Sequence, residues 1–255
     1  MALSFSAACL TDTGKIRAAN QDNFLFDQLY LEEVHQSMAL PFRCAGSLIR
    51  PRLFALFDGM GGESFGDIAS GVAAKTAQEL EKKLTRAKDV PTALEEACTE
   101  INSAVVARGR ELLCDRMGST LSMLLLSGRN AHVCNIGDSR IFILRKGVLT
   151  QLSRDHTDAE MLEKLGIHRR PRLIQHLGMD PEETRLEPHI VSFRLERGDL
   201  CLLCSDGVTD MVTEETLQSL LAEDPQPDRL VRTLVDRSLE AGGRDNITAI
   251  VCRIL

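Results

Sequence analysis

Acidic residues stand at the ends of several apolar segments of this sequence. Residues 53–62 read LFALFDGMGG, so five apolar residues run directly into an aspartate, and glycine occupies three of the next four positions. A similar junction between an apolar run and an aspartate recurs in HVCNIGDS, LCLLCSDG, NQDNFLF and RDNITAIV. The aspartates at these junctions are Asp22, Asp58, Asp138, Asp206 and Asp245.

The types of these residues point to a metal site. A single Asp-Gly pair is usually a turn signal, but five such aspartates are more than turns require. If the strands share a sandwich, their ends converge, and clustered carboxylates repel one another unless a cation is present. Oxygen-rich sites suit Mg²⁺ or Mn²⁺. Gly59 would let a backbone carbonyl approach the ion, and Gly61 and Gly62 would permit a tight exit of the chain.

The elements that must position these aspartates are short. Apolar runs bounded by turn residues predict strands, and longer amphipathic segments predict helices. The predicted strands are Ser4–Leu10, Asn23–Asp27, Leu53–Phe57, Thr120–Ser127, Ala131–Ile136, Ser139–Arg145, Val148–Leu152, His189–Leu195, Asp199–Cys204 and Ile247–Ile254. The predicted helices are Phe65–Arg86, Pro91–Leu113, Glu214–Ala222 and Asp228–Glu240, with an irregular segment over 156–188.

Strands and helix pairs come in blocks along the chain. A doubly wound fold needs steady alternation of strand and helix, whereas blocks are typical of an α+β domain. The predicted fold is therefore α+β, with a central antiparallel β-sandwich flanked on both sides by pairs of antiparallel helices. No repeat, low-complexity tract or linker divides the chain, so a single domain over residues 1–255 is expected.

The composition argues against several classes of partner. The formal net charge is −7 and the sequence has no basic run, which disfavours nucleic acid and an anionic membrane. The apolar stretches are strand-sized and shorter than the ~18 residues of a membrane span. The N-terminal MALSFSAACL lacks a positive region and is broken by Ser4 and Ser6, so a first strand is a better interpretation than a signal peptide.

The eight cysteines are expected to be reduced thiols in a cytoplasmic protein, because no export signal is recognised. Cys201 and Cys204 form a C-x-x-C pair within the predicted strand DLCLLC. Residues three apart on a strand point to opposite faces, so core packing is expected for this pair and metal chelation is not.

Taken together, the motifs resemble the metal-dependent serine/threonine protein phosphatases of the PPM, or PP2C, family. The resemblance spans nearly the whole chain in the family's order and rests on RAANQD, FDGMGG followed by GDIAS, GST, NIGDSR, LSRDHT, CSDG and GRDNIT. The Met in FDGMGG and the compact length are more similar to the bacterial branch. The resemblance implies two Mg²⁺ or Mn²⁺ ions at one end of a β-sandwich flanked by helix pairs.

The resemblance also implies a set of metal ligands. Asp58 would bridge both ions, and the backbone carbonyl of Gly59 would bind the second ion. Asp206 and Asp245 would be the remaining direct ligands. Asn246 would support Asp245 from the neighbouring position.

Three further residues have roles that the resemblance implies. Asp22 would hold metal-coordinated water, Asp138 would form a weaker third metal position together with Asp206, and Arg17 would bind the substrate phosphate. The chemistry agrees, because water shared by two divalent ions ionises near neutral pH and can attack phosphorus. The planar fork of Arg can donate two parallel hydrogen bonds to a phosphate. Without the motif, Arg17 would be read as a solvated charge at a strand end.

The sequence departs from the family pattern at three places. Gln21 stands where many relatives have Glu, so water-mediated metal binding is expected to survive with weaker affinity. Met60 stands where eukaryotic members have a His that is a candidate general acid, and metal-coordinated water would replace it. The flap segment from Thr157 to Met179 is short, and its HRRPR stretch (His168–Arg172) is either a solvated loop or a site for acidic or phosphorylated substrates. His156 of RDHT is expected to be structural.

Other functions are compatible with parts of the sequence. The C-x5-R pattern of cysteine phosphatases occurs at Cys134–Arg140 and Cys44–Arg50. Such an enzyme needs a reactive thiolate in a loop of backbone N–H donors, whereas the IFIL that follows Arg140 predicts a strand. A catalytically silent PP2C-fold binding or regulatory module would be favoured by loss of an aspartate ligand, but every ligand is present. The lack of a basic run disfavours a metal-dependent nuclease.

The sequence therefore predicts a Mg²⁺- or Mn²⁺-dependent phosphatase, a phosphoric monoester hydrolase acting on phosphoserine and phosphothreonine in proteins. The expected partners are these phosphoproteins and a cognate Ser/Thr kinase system whose signalling the enzyme reverses. A monomer is expected. The sequence assigns no role to the insertion over residues 27–52.

Overall fold

A computed structural model describes residues 2–61, 65–114, 116–223 and 226–255. The strands and helices predicted from the sequence occur in it in the predicted order. Gly62, which was expected to shape the exit from Asp58, lies outside the described residues. The strands are β1 Ser4–Asp12, β2 Asp22–Phe26, β3 Phe42–Ser47, β4 Arg52–Met60, β5 Gly118–Ser119, β6 Leu121–Ser127, β7 Asn130–Ile136, β8 Arg140–Arg145, β9 Val148–Gln151, β10 His189–Arg194, β11 Leu200–Cys204 and β12 Ile247–Ile254. The helices are α1 Gly66–Leu84, α2 Val90–Glu111, α3 Ala159–Leu165, α4 Asp206–Thr209, α5 Glu214–Glu223 and α6 Pro227–Glu240.

Two antiparallel sheets form the centre of the molecule. The first sheet has the strand order β3-β1-β12-β11-β8-β9, and the second has the order β10-β7-β6-β4-β2, with β5 pairing to β4 beside it. Every strand pair within the described residues is antiparallel. The predicted antiparallel sandwich is therefore confirmed.

Three apolar layers make up the core. Phe5, Phe24 and Phe54 pack between the two sheets. Small residues of α1, such as Ala73, pack with α2 on the outer face of the second sheet. Leu234 of α6 belongs to the layer that covers the outer face of the first sheet with α5. Central strands such as β11 are buried on both faces, which explains why they are apolar throughout.

The two-residue strand β5 and the four-residue helix α4 were not predicted, and neither were β3 and α3. The strand β3 lies at a sheet edge inside the 27–52 insertion, and its residues are only half-buried. The helix α3 lies in the segment predicted to be irregular and buries only Leu162. Neither element buries enough apolar surface to give a clear period. Within the described residues, no helix combines the length and the apolar character that crossing a membrane would need.

The strand ends that carry the five aspartates meet at one end of the sandwich. Asp22 opens β2 and is paired across the sheet with Asp58 near the end of β4. Asp206 follows β11, and Asp245 precedes its neighbour β12. Asp138 lies in the turn between β7 and β8. The convergence that the sequence predicts is present in the fold.

The C-x-x-C pair packs in the core as predicted. Cys201 lies in the layer between the sheets, and Cys204 lies in the layer between the first sheet and its helices. The two side chains therefore leave β11 on opposite faces. The described residues include all eight cysteines, and each is a free thiol.

Candidate metal and phosphate site

A crevice of about 400 Å³ opens where the strand ends meet. The predicted site residues in its wall are Arg17, Asp138, Asp206 and Asp245. Asp58 is half-buried and Asp22 is buried behind this wall. The charge of Asp58 interacts with those of the other four aspartates. The structure thus brings all five predicted aspartates and Arg17 together.

The GST motif holds the backbone of Asp58. The Asp58 N–H donates to Oγ1 of Thr120 at 3.0 Å, and the Asp58 carbonyl accepts from the Thr120 N–H at 2.8 Å and from Oγ of Ser119 at 3.0 Å. The Thr120 hydroxyl is in turn 2.7 Å from Oγ of Ser139. This network fixes the strand end while no described group donates to the Asp58 carboxylate itself.

Two glycines after Asp58 are required by the local geometry. A Cβ at Gly59 would lie 2.0 Å from the carbonyl oxygen of Gly66 and 2.5 Å from that of Gln21. Gly61 has φ +146°, a conformation that L side chains rarely adopt. Gly59 therefore allows α1 to begin directly against the strand end, whatever its carbonyl binds.

Asp22 has one satisfied and one unsatisfied carboxylate oxygen. Ser205 Oγ and Thr248 Oγ1 donate to Oδ2 at 2.7 and 2.6 Å. Oδ1 is buried and has no hydrogen-bond partner among the described residues. Burial raises the pKa of Asp22 to about 7, against the opposing effect of the two hydroxyl bonds. A buried oxygen of this kind is costly unless water or a cation satisfies it.

The turns that carry Asp206 and Asp245 pack so closely that one of them needs glycine. A Cβ at Gly207 would lie 1.9 Å from the carbonyl oxygen of Asn246. This contact sets the distance between the two aspartates, because each is covalently next to one of the touching residues.

Gly207→Ala is expected to lower the free energy of unfolding by ~1–3 kcal/mol, since the added methyl forces the two turns apart. Urea unfolding of Gly207→Ala and of the wild-type chain measures this difference in the free energy of unfolding. Gly46→Ala is the matched control, because its Cβ would meet Phe5 Cε1 at an ordinary 3.5 Å. An equal loss of stability in both variants would contradict this explanation.

Asn246 connects β12 to the segment that carries Arg17. Its Oδ1 accepts from the Gln21 N–H at 2.8 Å, and its Nδ2 donates to the carbonyls of Thr13 and Ala19, each at 2.9 Å. An amide side chain can accept and donate at once, and these three bonds use both of its donors and one acceptor position of its oxygen. Asn246 thereby holds both ends of the 13–21 loop against the site.

Arg17 lies at the mouth of the crevice with about half of its side chain exposed. Its Nη2 donates to Oδ2 of Asp245 at 2.6 Å. This hydrogen bond is the main cause that raises the pKa of the guanidinium. At this position the positively charged guanidinium of Arg17 can contact a ligand in the crevice.

Arg170 is a site residue that the sequence analysis did not identify. Its Nη2 donates to Oδ2 of Asp206 at 2.9 Å and to Oδ2 of Asp210 at 3.0 Å. The neighbouring Arg169 pairs with Asp158 at the start of α3. The basic HRRPR stretch therefore folds back onto the site. The basic composition of this stretch indicated that it could bind acidic groups, but composition alone does not identify which arginine contacts the aspartates.

Burial and mutual repulsion raise the pKa values of the clustered carboxyls. The pKa of Asp206 is raised to about 8, first by burial and then by the charges of Asp138 and Asp245. The pKa of Asp58 is raised well above its ordinary value, again first by burial. Burial also raises the pKa of Asp138. Without a cation, these carboxyls favour the protonated form.

The donor set fits a divalent cation. Oδ1 of Asp206, like Oδ1 of Asp22, is buried without a hydrogen-bond partner among the described residues. Clustered carboxylates are the hard oxygen ligands that Mg²⁺ and Mn²⁺ prefer, and a cation restores their ionised forms.

The arginines at the site bear on metal loading. In the present side-chain conformations, no three acidic, His or Cys side chains of the described residues are gathered for chelation of one ion. Arg17 and Arg170 instead form ion pairs with Asp245 and Asp206. Metal binding therefore requires these side chains to rotate.

The environments of the cysteines do not support cysteine chemistry. Cys134 is buried on β7 with its Sγ 3.3 Å from that of Cys98, and this contact together with burial raises its pKa well above the usual value. Burial raises the pKa of Cys44 to about 12. A nucleophilic cysteine needs a lowered pKa, so neither C-x5-R pattern marks a reactive thiol.

His156 supports the loop beside Asp138, in line with the structural role expected for it. Its N–H donates to the Gly137 carbonyl at 2.9 Å, and its Nδ1 accepts from the Gly137 N–H at 3.3 Å. Burial lowers the pKa of His156, which favours the neutral ring that can accept this bond.

Fold and site together define a class of protein: a two-sheet sandwich between helix pairs, with aspartates and arginines gathered at one end. The family model for protein phosphatase 2C matches residues 12–187. Serine/threonine protein phosphatase PstP of Mycobacterium tuberculosis is 31% identical over 257 residues, which cover 97% of this chain and 45% of that protein. Protein phosphatase PhpP of Streptococcus pneumoniae is 30% identical over 251 residues, which cover 94% of this chain and 93% of that protein.

A solved structure agrees with these matches. The crystal structure of the catalytic domain of PstP in complex with two manganese ions is similar with a TM-score of 0.80 and 30% identity, covering 99% of each chain. The chain belongs to the protein phosphatase 2C family, as its motifs indicated. It spans less than half of the length of the Mycobacterium relative and nearly all of the Streptococcus relative.

Proposed function

We propose that this chain is a Mn²⁺- or Mg²⁺-dependent protein-serine/threonine phosphatase. The observation that carries the proposal is the convergence of five aspartates and Arg17 at one end of the sandwich, with two buried carboxylate oxygens left unpartnered among the described residues. The related PstP catalytic domain binds two manganese ions. The proposed metal-site residues are Asp58, the Gly59 carbonyl, Asp206 and Asp245 as direct ligands, Asp22 through water, and Asp138 at a weaker third position.

Two divalent ions bound there would ionise water near neutral pH and offset the charge on the phosphoryl oxygens. The chain's own residues do the remaining work. Thr120 keeps the backbone of Asp58 in place, and Asn246 keeps the Arg17 segment against β12. Arg17 then binds and orients the phosphate. Asp22, held through one oxygen by two hydroxyls, keeps its other oxygen available to accept a hydrogen bond from metal-coordinated water.

Arg17→Ala is expected to raise KM for a phosphothreonine peptide by about 10- to 100-fold, since charged hydrogen bonds contribute ~1.5–3 kcal/mol. The KM of Arg17→Lys should lie between those of the wild-type chain and Arg17→Ala. Lysine keeps the positive charge but lacks the planar guanidinium that donates two parallel hydrogen bonds. Steady-state kinetics checks both variants. Arg43→Ala is the control, since Arg43 pairs with Asp228 at an exposed position outside the crevice wall. An unchanged KM in Arg17→Ala would contradict the assignment.

Arg170→Ala is expected to tighten Mn²⁺ binding about two- to fivefold, because the guanidinium competes with the ion for Asp206 and an exposed ion pair contributes only ~0.2–1 kcal/mol. Isothermal titration with Mn²⁺ measures the change directly. The adjacent Arg169→Ala is the matched control, as Arg169 pairs with Asp158 away from the aspartate cluster. Equal affinities in both variants would argue against competition.

The reaction itself is tested by phosphate release from a phosphothreonine peptide with Mn²⁺, with EDTA, and after alkylation with iodoacetamide. We expect EDTA to abolish release, added Mn²⁺ to restore it, and alkylation to leave it intact. EDTA-resistant and alkylation-sensitive release would indicate cysteine chemistry. A folded chain without metal-dependent release would indicate the silent binding module.

We further propose phosphoserine and phosphothreonine proteins as substrates and a cognate Ser/Thr kinase as the opposing enzyme, since hydrolysis of a phosphoprotein presupposes its phosphorylation. Eight free thiols support a reducing, cytoplasmic location. The three core layers share the same two sheets, which supports one domain over residues 1–255. We propose a monomer, which light scattering would test.

A further inference from the structure

The end of the sandwich away from the aspartates forms one continuous surface. Along strand β4, Arg52 and Asp58 are ~20 Å apart at ~3.3 Å per residue. At the Arg52 end, the Gly128 N–H of the β6–β7 turn donates to the Leu48 carbonyl at 2.8 Å. The Leu195 N–H donates to the Arg129 carbonyl at 2.8 Å. These bonds connect turn 48–51, the β6–β7 turn and residues 194–197. Together with residues 81–86, which comprise the end of α1 and the two residues after it, they form the surface that we call the arginine pole.

The first of two clefts in the arginine pole lies between turn 48–51 and the end of α1. It has a volume of about 330 Å³ and is lined by Arg50, Arg52, Lys82 and Arg86. Arg52 pairs with Asp27 at 3.3 Å. The other three cations make no ion pair with any described residue. They are therefore available to an external anion.

The second cleft lies between the β6–β7 turn and residues 194–197, with a volume of about 430 Å³. Arg145 is fixed in its wall by the buried Asp199, which accepts from Nε at 2.8 Å and from Nη2 at 2.7 Å. Its exposed arginines are Arg129, Arg194 and Arg197, and none has an ion pair within the described part of the chain. This cleft thus combines a fixed wall with free cations around it.

The cations of the arginine pole are concentrated on a chain whose formal net charge is −7. Lys82 near the end of α1 interacts favourably with the helix dipole. No helix dipole accounts for the other cations, because they lie on turns or at a strand end: Arg129, Arg194 and Arg197. Like charges held together without partners repel one another, and a surface of this kind attracts and orients an acidic partner.

Glu81 indicates which class of anion fits. It lines the first cleft and is only 8% exposed. No described residue donates a hydrogen bond to its carboxylate, on which the charge of Arg52 acts. A largely buried carboxyl is stabilised by a hydrogen-bond donor. A peptide backbone offers an N–H donor at nearly every residue, whereas the ionised phosphodiester groups of a nucleic acid or a lipid offer only acceptors. Among the described residues, neither cleft wall contains an aromatic side chain on which nucleobases could stack.

We propose that the arginine pole binds an acidic polypeptide segment of a partner protein, at a surface separate from the aspartate site. Carboxylates of the segment pair with the free arginines of the two clefts, and a backbone N–H or hydroxyl of the segment donates to Glu81. Binding at the pole and hydrolysis at the crevice are separate properties of the molecule.

The test is fluorescence anisotropy of a labelled, unphosphorylated peptide of alternating Glu and Ser. The pole variants are Arg129→Glu/Arg194→Glu and Arg50→Glu/Arg86→Glu. The control is Lys75→Glu/Arg185→Glu, which changes the net charge equally at exposed positions outside both clefts. We expect each pole variant to weaken binding about tenfold and the control less than about twofold. Binding should also fall between ~0.05 and ~0.5 M NaCl as screening shortens the range of the charges.

No binding of the peptide by the wild-type chain at low salt would overturn the proposal, and so would equal weakening in the control. Tighter binding of single-stranded RNA or of phosphatidylglycerol vesicles through the same arginines would also overturn it. Each variant should keep Mn²⁺-dependent phosphate release from a short phosphopeptide, so a failure of the pole is distinct from a failure of the catalytic site. The two pole variants change different elements, so misfolding of one leaves the other as a test.

Discussion

Asp206→Asn is expected to lower kcat/KM for a phosphothreonine peptide about a thousandfold or more at saturating Mn²⁺. The amide is a neutral and weaker ligand, and ions in such sites contribute several kcal/mol of transition-state stabilisation. A thousandfold loss corresponds to ~4 kcal/mol. Steady-state kinetics with the wild-type and variant enzymes measures the ratio.

The same substitution is expected to stabilise the metal-free protein. Burial and the charges of Asp138 and Asp245 oppose ionisation of Asp206, so the neutral amide relieves this repulsion. In EDTA, the unfolding temperature of Asp206→Asn should rise by about 2–4 °C. Asp210→Asn is the control, since Asp210 shares Arg170 with Asp206 but has no predicted ligand role. An Asp206→Asn enzyme with wild-type kcat/KM would contradict the assignment, and so would activity lost through misfolding alone.

The stability of the metal-free protein is expected to fall as the pH rises from about 4 to about 8. Burial is the main cause that raises the pKa of Asp22 to about 7 and that of Asp206 to about 8. The folded chain therefore binds protons more tightly than the unfolded chain, whose carboxyls titrate near ~4. The stabilisation from these carboxyls is complete below that value and is lost as the pH rises through the folded values.

Manganese should reverse this trend, because the ion binds the ionised carboxylates and is bound by the folded state only. At a hundredfold excess over Kd the gain is ~2.7 kcal/mol, and it should grow with pH. Urea unfolding at pH 5, 6, 7 and 8, in EDTA and in Mn²⁺, measures both slopes. Asp206→Asn serves as the control and should show a shallower slope in EDTA. Stability that rises with pH in EDTA would contradict the raised pKa values.

The sequence predicted the sandwich and the aspartate cluster because both depend on local signals. Apolar runs that end on aspartate predict strand ends, and strands buried on both faces require helices over both sheets. The structure adds the pairing of Asp22 with Asp58 across β2 and β4, which was not predicted. Asp206 and Asp245 follow from the same signal on the neighbouring strands β11 and β12.

Features that depend on the path of loops were not predictable in this way. Arg170 reaches Asp206 because the flap turns back after α3, and that helix buries only Leu162. The arginine pole is a second example. The fold gathers Arg50, Arg129 and Arg197, none of which lies in the basic HRRPR stretch, from distant turns into one basic surface. Charge counted along the chain therefore does not describe charge on the surface.

The most direct test of the proposed metal site is a calorimetric titration of the metal-free chain and of Asp58→Asn with Mn²⁺. We expect two tightly bound ions per wild-type chain, since Asp58 is proposed to bridge a two-metal site. In Asp58→Asn the tight binding should be lost while the fold is retained. Absence of Mn²⁺ binding by the wild-type chain, or equal binding by the variant, would contradict the site.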